Sequence, residues 1–214
     1  MKQLILTKIV LAAAVCVLTA SAWADDNMAS TNMAACTPAD FAWDAALINL
    51  KEIRLGEVAQ NNSQNAAVQE FGKHMVRDHS RLNERLERIA EAEGLRLPET
   101  NAFEVPVQQP PEEKEATELM LQTGTPEQRL LGAQLDVQHL ASLTGTDFDK
   151  AYADAMVQGH QKALEKYQNA ADTLQDKQLK KYATAGSRAI RRHLEMAQKL
   201  QSEVSTNSVA GANM

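Results

Sequence analysis

The chain has 214 residues, with 28 acidic and 22 basic side chains and a formal charge of −6. That balance argues against a nucleic acid or an anionic membrane surface as partner. Aromatic content is 4%, there are only nine glycines, and Ala, Leu, Glu, Gln and Lys are abundant, so the expected fold class is all-α.

In chain order, residues 1–24, MKQLILTKIVLAAAVCVLTASAWA, combine an early basic start (Lys2, Lys8) with an apolar run and a small-residue site at Ala22-Trp23-Ala24. They read as a signal peptide cleaved after Ala24, and the expected location is periplasmic or secreted. The apolar run is shorter than the roughly 20 residues of a membrane span, so no stable membrane insertion is expected after cleavage. Loss of the two lysines takes the charge to −8. Cys36 is then the only cysteine, which rules out an intramolecular disulfide and leaves stability to packing. Residues 25–36 read as a disordered lead.

Residues 37–203 read as one bundle domain. Thr37-Pro38-Ala39-Asp40 supplies a cap, a proline at the first helical position and a first-turn acid, predicting a helix over about 38–60. Its inward stripe is Phe41, Ala45, Ile48, Glu52, Leu55 and Ala59. Ser63 is the expected cap of a second helix, which Gly94 ends. Its inward stripe is Phe71, Met75, His79, Leu82, Leu86 and Ile89. A partly helical crossover follows over about 95–145, with a short helix from Pro111 and another opened by Thr125-Pro126-Glu127. Thr146 to Asp149 has the spacing that starts a third long helix, reaching about Thr173 with Tyr152, Met156, His160, Ala163, Leu164 and Tyr167 inward. Asp176 caps a fourth, to about Glu203, with Leu179, Ala183, Gly186, Ile190, His193, Ala197 and Leu200 inward. Gly186 costs that helix about 1 kcal/mol against alanine and marks a close helix approach. Residues 204–214 read as a disordered tail.

Each long helix therefore carries one ionisable residue on its apolar stripe: Glu52, His79, His160 and His193. By these boundaries, His79 and His160 lie near their helix centres, and Glu52 and His193 sit about three residues past theirs. At about 1.5 Å rise per residue the offset is about 5 Å, so in an antiparallel bundle the four groups converge in one layer. A glutamate and three imidazoles are a ligand set suited to zinc, copper or iron. The same residues also fit a buried network in which the carboxylate accepts protons from the rings. Met75, Met156 and Met196 each stand one turn from an inward histidine. Thioethers there would favour copper(I), although methionine is also an ordinary core filler. Asp78 lies on a neighbouring stripe with His74, from which it can approach a metal at the edge of the layer, and His139 reads as an ordinary crossover residue. No phosphate-cradling glycine loop or hydrolase motif occurs.

FGKHMVRDHSRLNERL followed by GLRLP, then LTGTDFDKAYADAMVQGHQKAL and RRHLEMAQKL, resemble the secreted bacterial family catalogued as domain of unknown function 4142, over about residues 40–200. The resemblance implies a ferritin-like four-helix bundle, with a long crossover between helices 2 and 3, and an extracytoplasmic location. It implies no firm activity. Glu52, Asp78, His79, His160 and His193 fall on the family's recurrent polar positions. The wider ferritin-like group often holds two metals on Glu-x-x-His pairs. Here Val76, Val157 and Ile190 stand three residues before the histidines, so an iron oxidase of that kind is not expected.

Three functions fit this reading. The first is a non-catalytic metal-binding protein of metal homeostasis or envelope stress, using Glu52, His79, His160, His193 and Asp78. The second is a structural protein whose crossover meets an envelope partner. The third is a metal-dependent oxidase with an open coordination position.

Overall fold

The computed structural model describes residues 37–104 and 124–211, the last five as backbone. The expected signal peptide, the lead with Cys36 and the short helix from Pro111 lie outside the described residues. Those described form five helices: α1 (Pro38–Asn62), α2 (Ala66–Glu93), α3 (Pro126–Ala141), α4 (Gly145–Thr173) and α5 (Lys177–Gly211). The all-helical class is as expected, and no helix among the described residues is long and apolar enough to cross a membrane.

The helix starts follow local chemistry. Thr37 accepts from the Asp40 backbone N–H ahead of Pro38 in α1, and Thr125 with Gln128 forms a reciprocal capping box on α3. Two starts differ from expectation. Asn65 rather than Ser63 caps α2. Ser63 instead closes α1 and donates to Asp149 Oδ1 at 2.5 Å, so both side chains are buried at this end of the molecule. With Asp149 so engaged, Thr144 flanks the start of α4 without a side-chain cap. Asp176 caps α5 by accepting from Leu179 N–H. That helix runs on to Gly211, into the segment read as a tail, because Val204 is buried and the hydroxyls of Ser202, Ser205 and Thr206 bond back to carbonyls one turn earlier.

Two apolar clusters fill the interior. The first combines Leu55 and Val58 from the C-terminal half of α1 with Phe71 and Met75 from the start of α2, Phe148, Tyr152 and Met156 from the start of α4, and Ala197 and Leu200 from late α5. The second takes the opposite ends of the same helices: Phe41, Leu86, Tyr167, Leu179 and Ile190. It follows that α1 and α5 run one way and α2 and α4 the other. The parallel pair α2 and α4 is the pair the long crossover joins.

The crossover helix α3 lies against α1. Lys51 pairs with Asp136 at 2.5 Å, and Arg129 with Asp44 at 2.8 Å. Beyond its expected stripe α1 also buries Trp43, Leu47 and Leu50, with Arg96 over the Trp43 ring. A single-stripe reading misses these residues because their cover comes from a distant segment.

Glycines set two close approaches. A Cβ on Gly186 would stand 2.3 Å from the Tyr167 ring, so the expected close approach is real and its neighbour is α4. Gly56 and Gly72 form a crossing of α1 and α2 not read from the sequence, where a Cβ on either would come within 2.6–2.7 Å of the other's carbonyl oxygen. Alanine normally favours a helix interior by about 1 kcal/mol over glycine. At Gly72 the sign should reverse, with Gly72→Ala destabilising the fold by about 1–3 kcal/mol in urea unfolding as the backbones are forced apart. A stabilising Gly72→Ala would contradict this crossing.

Candidate metal centre

Between the two apolar clusters lies a polar layer. His79 from α2, His160 from α4 and His193 from α5 are each at most 2% exposed, and their ring centroids stand 5.2–5.9 Å apart. One nitrogen from each ring belongs to a set whose members all lie within 4.8 Å of one another. The sequence expectation of converging histidines is met at this level.

The outward nitrogen of each ring is engaged. His160 Nδ1–H donates to the Met156 carbonyl at 2.8 Å, within its own helix. His193 Nε2–H donates to Asp78 Oδ2 at 3.1 Å, and His79 Nδ1–H to Asn49 Oδ1 at 3.0 Å. Asn49 is fully buried and in turn donates from Nδ2 to the Tyr182 hydroxyl, which also bonds to that of Tyr167. The remaining nitrogens, Nε2 of His79, Nε2 of His160 and Nδ1 of His193, are buried and have no hydrogen-bond partner. An imidazole with its proton on the outward nitrogen presents a lone pair on the other. The layer thus offers three acceptors on rings that lie close together, each ring held through its other nitrogen, as protein metal sites do.

Electrostatics favour metal-ready rings at two of the three positions. Burial, reinforced by the neighbouring His160 and His193, holds His79 well below the ordinary histidine range. Burial and then His160 lower His193 to about 4, against the opposing pull of Asp78. Burial alone would raise Asp78, but hydrogen bonds and charge from Arg77 and His193 outweigh it and hold the carboxyl at about 2.

The two carboxylates expected as ligands sit differently. Asp78 is half-buried at the edge, between Arg77 Nε at 2.8 Å and His193 Nε2, and is outside the mutually close set. It holds the ring from behind. On the surface side the chain continues through Arg77 to His74, which faces Glu70 at 3.6 Å. Glu52 is 5% exposed and likewise outside the close set, and its Oε2 has no partner. The network alternative, in which this carboxylate takes protons from the rings, is therefore not the arrangement present. Met75 and Met156 are buried in the first cluster, and Met196 packs against it. His139 is exposed on α3.

Asn49 was not singled out from the sequence. The available signal was its place three residues before Glu52, but a helix wheel puts it beside the apolar stripe, and only the turn of His79 and Tyr182 toward it makes it part of the layer.

Two outcomes follow. Because His193 titrates near 4 when folded and near 6.5 when unfolded, the unfolded chain binds the extra proton between those values. The metal-free protein should lose about 3 kcal/mol from this residue as pH falls from 6.5 to 4, measured by urea unfolding across that window, and should lose nothing further from it below 4. For a metal-loaded protein, Asp78→Asn should weaken binding about 10–100-fold while leaving stoichiometry intact, as expected of a group behind a ligand; chelator competition reads both.

Comparison with known proteins gives one match. A family model described as Domain of unknown function (DUF4142) matches residues 24–200. No curated protein and no solved structure matches. With most of its length covered, and all three histidines inside the match, the chain belongs to the family described as Domain of unknown function DUF4142.

Proposed function

We propose that this protein is an exported, ferritin-like four-helix bundle that holds a single transition-metal ion on His79, His160 and His193, and serves metal homeostasis or envelope stress at the cell envelope rather than catalysis. The observation that carries the reading is three buried histidines that each offer one ring nitrogen within 4.8 Å of the others, every ring having one nitrogen hydrogen-bonded and the other without a protein partner.

Three buried acceptors without a protein partner are costly, since a buried polar group without a hydrogen bond loses about 1–3 kcal/mol. A cation that accepts three lone pairs removes that cost at once. The size is suitable: a triangle of 4.8 Å sides has its centre about 2.8 Å from each corner, so nitrogen–zinc bonds of about 2.0–2.1 Å require inward shifts of under about 1 Å per ring. Imidazole ligands suit zinc, copper and iron alike. The two-metal ferritin pattern is not available to these helices, because valine and isoleucine occupy the positions where its glutamates would stand. Export rests on residues 1–24 and their signal-peptide pattern.

Protein purified from its native compartment without chelator should carry about one equivalent of metal by elemental analysis, and His79→Ala and His160→Ala variants should each carry less than about a tenth of that. Metal-free wild-type protein that also fails to take up zinc, copper or iron in dialysis would overturn the proposal.

A further inference from the structure

The layer holds a buried carboxyl group that the hydrogen bonds of the histidines do not explain. Glu52 is 5% exposed and its Oε2 makes no hydrogen bond. A carboxylate oxygen buried without a protein partner is costly in a core. Its setting is specific. On α1 it follows by one turn the Asn49 that holds His79. Its Oε1 faces the backbone of α4 at Gly159, next to His160, where a Cβ on that glycine would stand 3.7 Å away. Its charge is also felt by the phenol of Tyr152, which is buried with no hydrogen-bond partner and whose ionisation is pushed well up by burial and then by Glu52. The carboxylate therefore lies on the Tyr152 side of the histidine layer, toward the first apolar cluster.

Three imidazoles supply donor atoms but no negative charge, and the Asp78 carboxylate behind His193 is already paired with Arg77. A monovalent ion seated on them carries a single buried positive charge, and a divalent ion carries two. Coulomb attraction to a fixed anion doubles with the charge of the cation, so a buried carboxylate with one unpartnered oxygen favours the dication disproportionately. The nearby methionines would pull toward a monovalent soft ion, but Met75 and Met156 are accounted for as members of the apolar cluster.

We propose that Glu52 is the counter-charge of the histidine site and makes it selective for a divalent cation over a monovalent one. This rests on the metal-binding reading above. Glu52 acts through its charge, and Tyr152 is a polar neighbour that carries none.

The test compares zinc(II) and copper(I) affinities, each by competition with a chromophoric chelator, in the wild type, Glu52→Gln, Tyr152→Phe and His79→Ala, with thermal melts to confirm folding. If Glu52→Gln removes charge at constant shape, the free energy lost by the dication is about twice that lost by the monocation, so the affinity ratio is squared: about 100-fold for zinc(II) against about tenfold for copper(I). Tyr152→Phe should leave both within about threefold. Equal losses for the two ions in Glu52→Gln, or no loss for zinc(II), would overturn the counter-charge role even with the histidine site intact. Wild-type protein that binds neither ion, or His79→Ala that binds both as tightly as wild type, would instead overturn the site itself. A folded state too weak to assay in Glu52→Gln would be replaced by Glu52→Asp, which keeps the charge and should keep the zinc(II) preference; losing that preference there would also count against the proposal.

Discussion

Three buried imidazoles that direct unpartnered nitrogens at one point impose the constraint on which the other features of this bundle depend. Such an arrangement is unfavourable unless the rings are held from outside and the centre is given something electrophilic. The outside hold is complete: a backbone carbonyl for His160, a carboxylate for His193 and a buried amide for His79. Each support comes from a different kind of group, yet all act on the nitrogen that faces away from the centre. A core chosen only for helix register would more economically pair the inward atoms with each other or with Glu52, and neither pairing is present.

The scaffold accounts for how this cost is borne. Apolar clusters on both sides of the layer bring all four long helices together above and below it, so the rings cannot withdraw toward solvent without separating packed side chains such as Met75 and Met156 on one side and Leu86 and Ile190 on the other. The Gly56–Gly72 crossing draws α1 and α2 together, and that pair supplies Asn49 and His79. Helix α3 clamps the outer side of α1 through Arg129–Asp44 and Lys51–Asp136. Asp44 also pairs with Lys166 of α4, linking the crossover, the first helix and the helix that carries His160. Positioning of the site is thus a property of the whole bundle.

Much of this was legible in the residue pattern, because a histidine on an apolar helical stripe stands out against the 3.6-residue period, and three of them at similar depth predict a meeting point. Gly94 and Gly186 were equally readable, the first as a helix stop with φ of 66° and the second as the place where Tyr167 comes close. What the pattern could not carry was identity beyond the stripe. Asn49 and Asp78 act on rings from other helices, and their roles depend on side-chain direction rather than on period. Glu52 was read as a ligand with the histidines because depth along a helix does not resolve a few ångströms, and the same coarseness assigned Ser63 and Asp149 to caps when they bond to each other. Trp43, Leu47 and Leu50 were missed for a different reason: cover from segments distant in sequence leaves no local trace.

The central claim, that the three inward nitrogens form a metal site, is tested most directly by long-range proton–nitrogen NMR of the imidazole rings. In metal-free protein the account predicts the proton on Nδ1 of His79, Nδ1 of His160 and Nε2 of His193. On addition of one equivalent of zinc(II), it predicts that the opposite nitrogen of all three rings, and of neither His74 nor His139, shifts to the metal-bound range. Inward nitrogens that carry protons in the metal-free protein, or that stay unshifted when zinc is added, would contradict it.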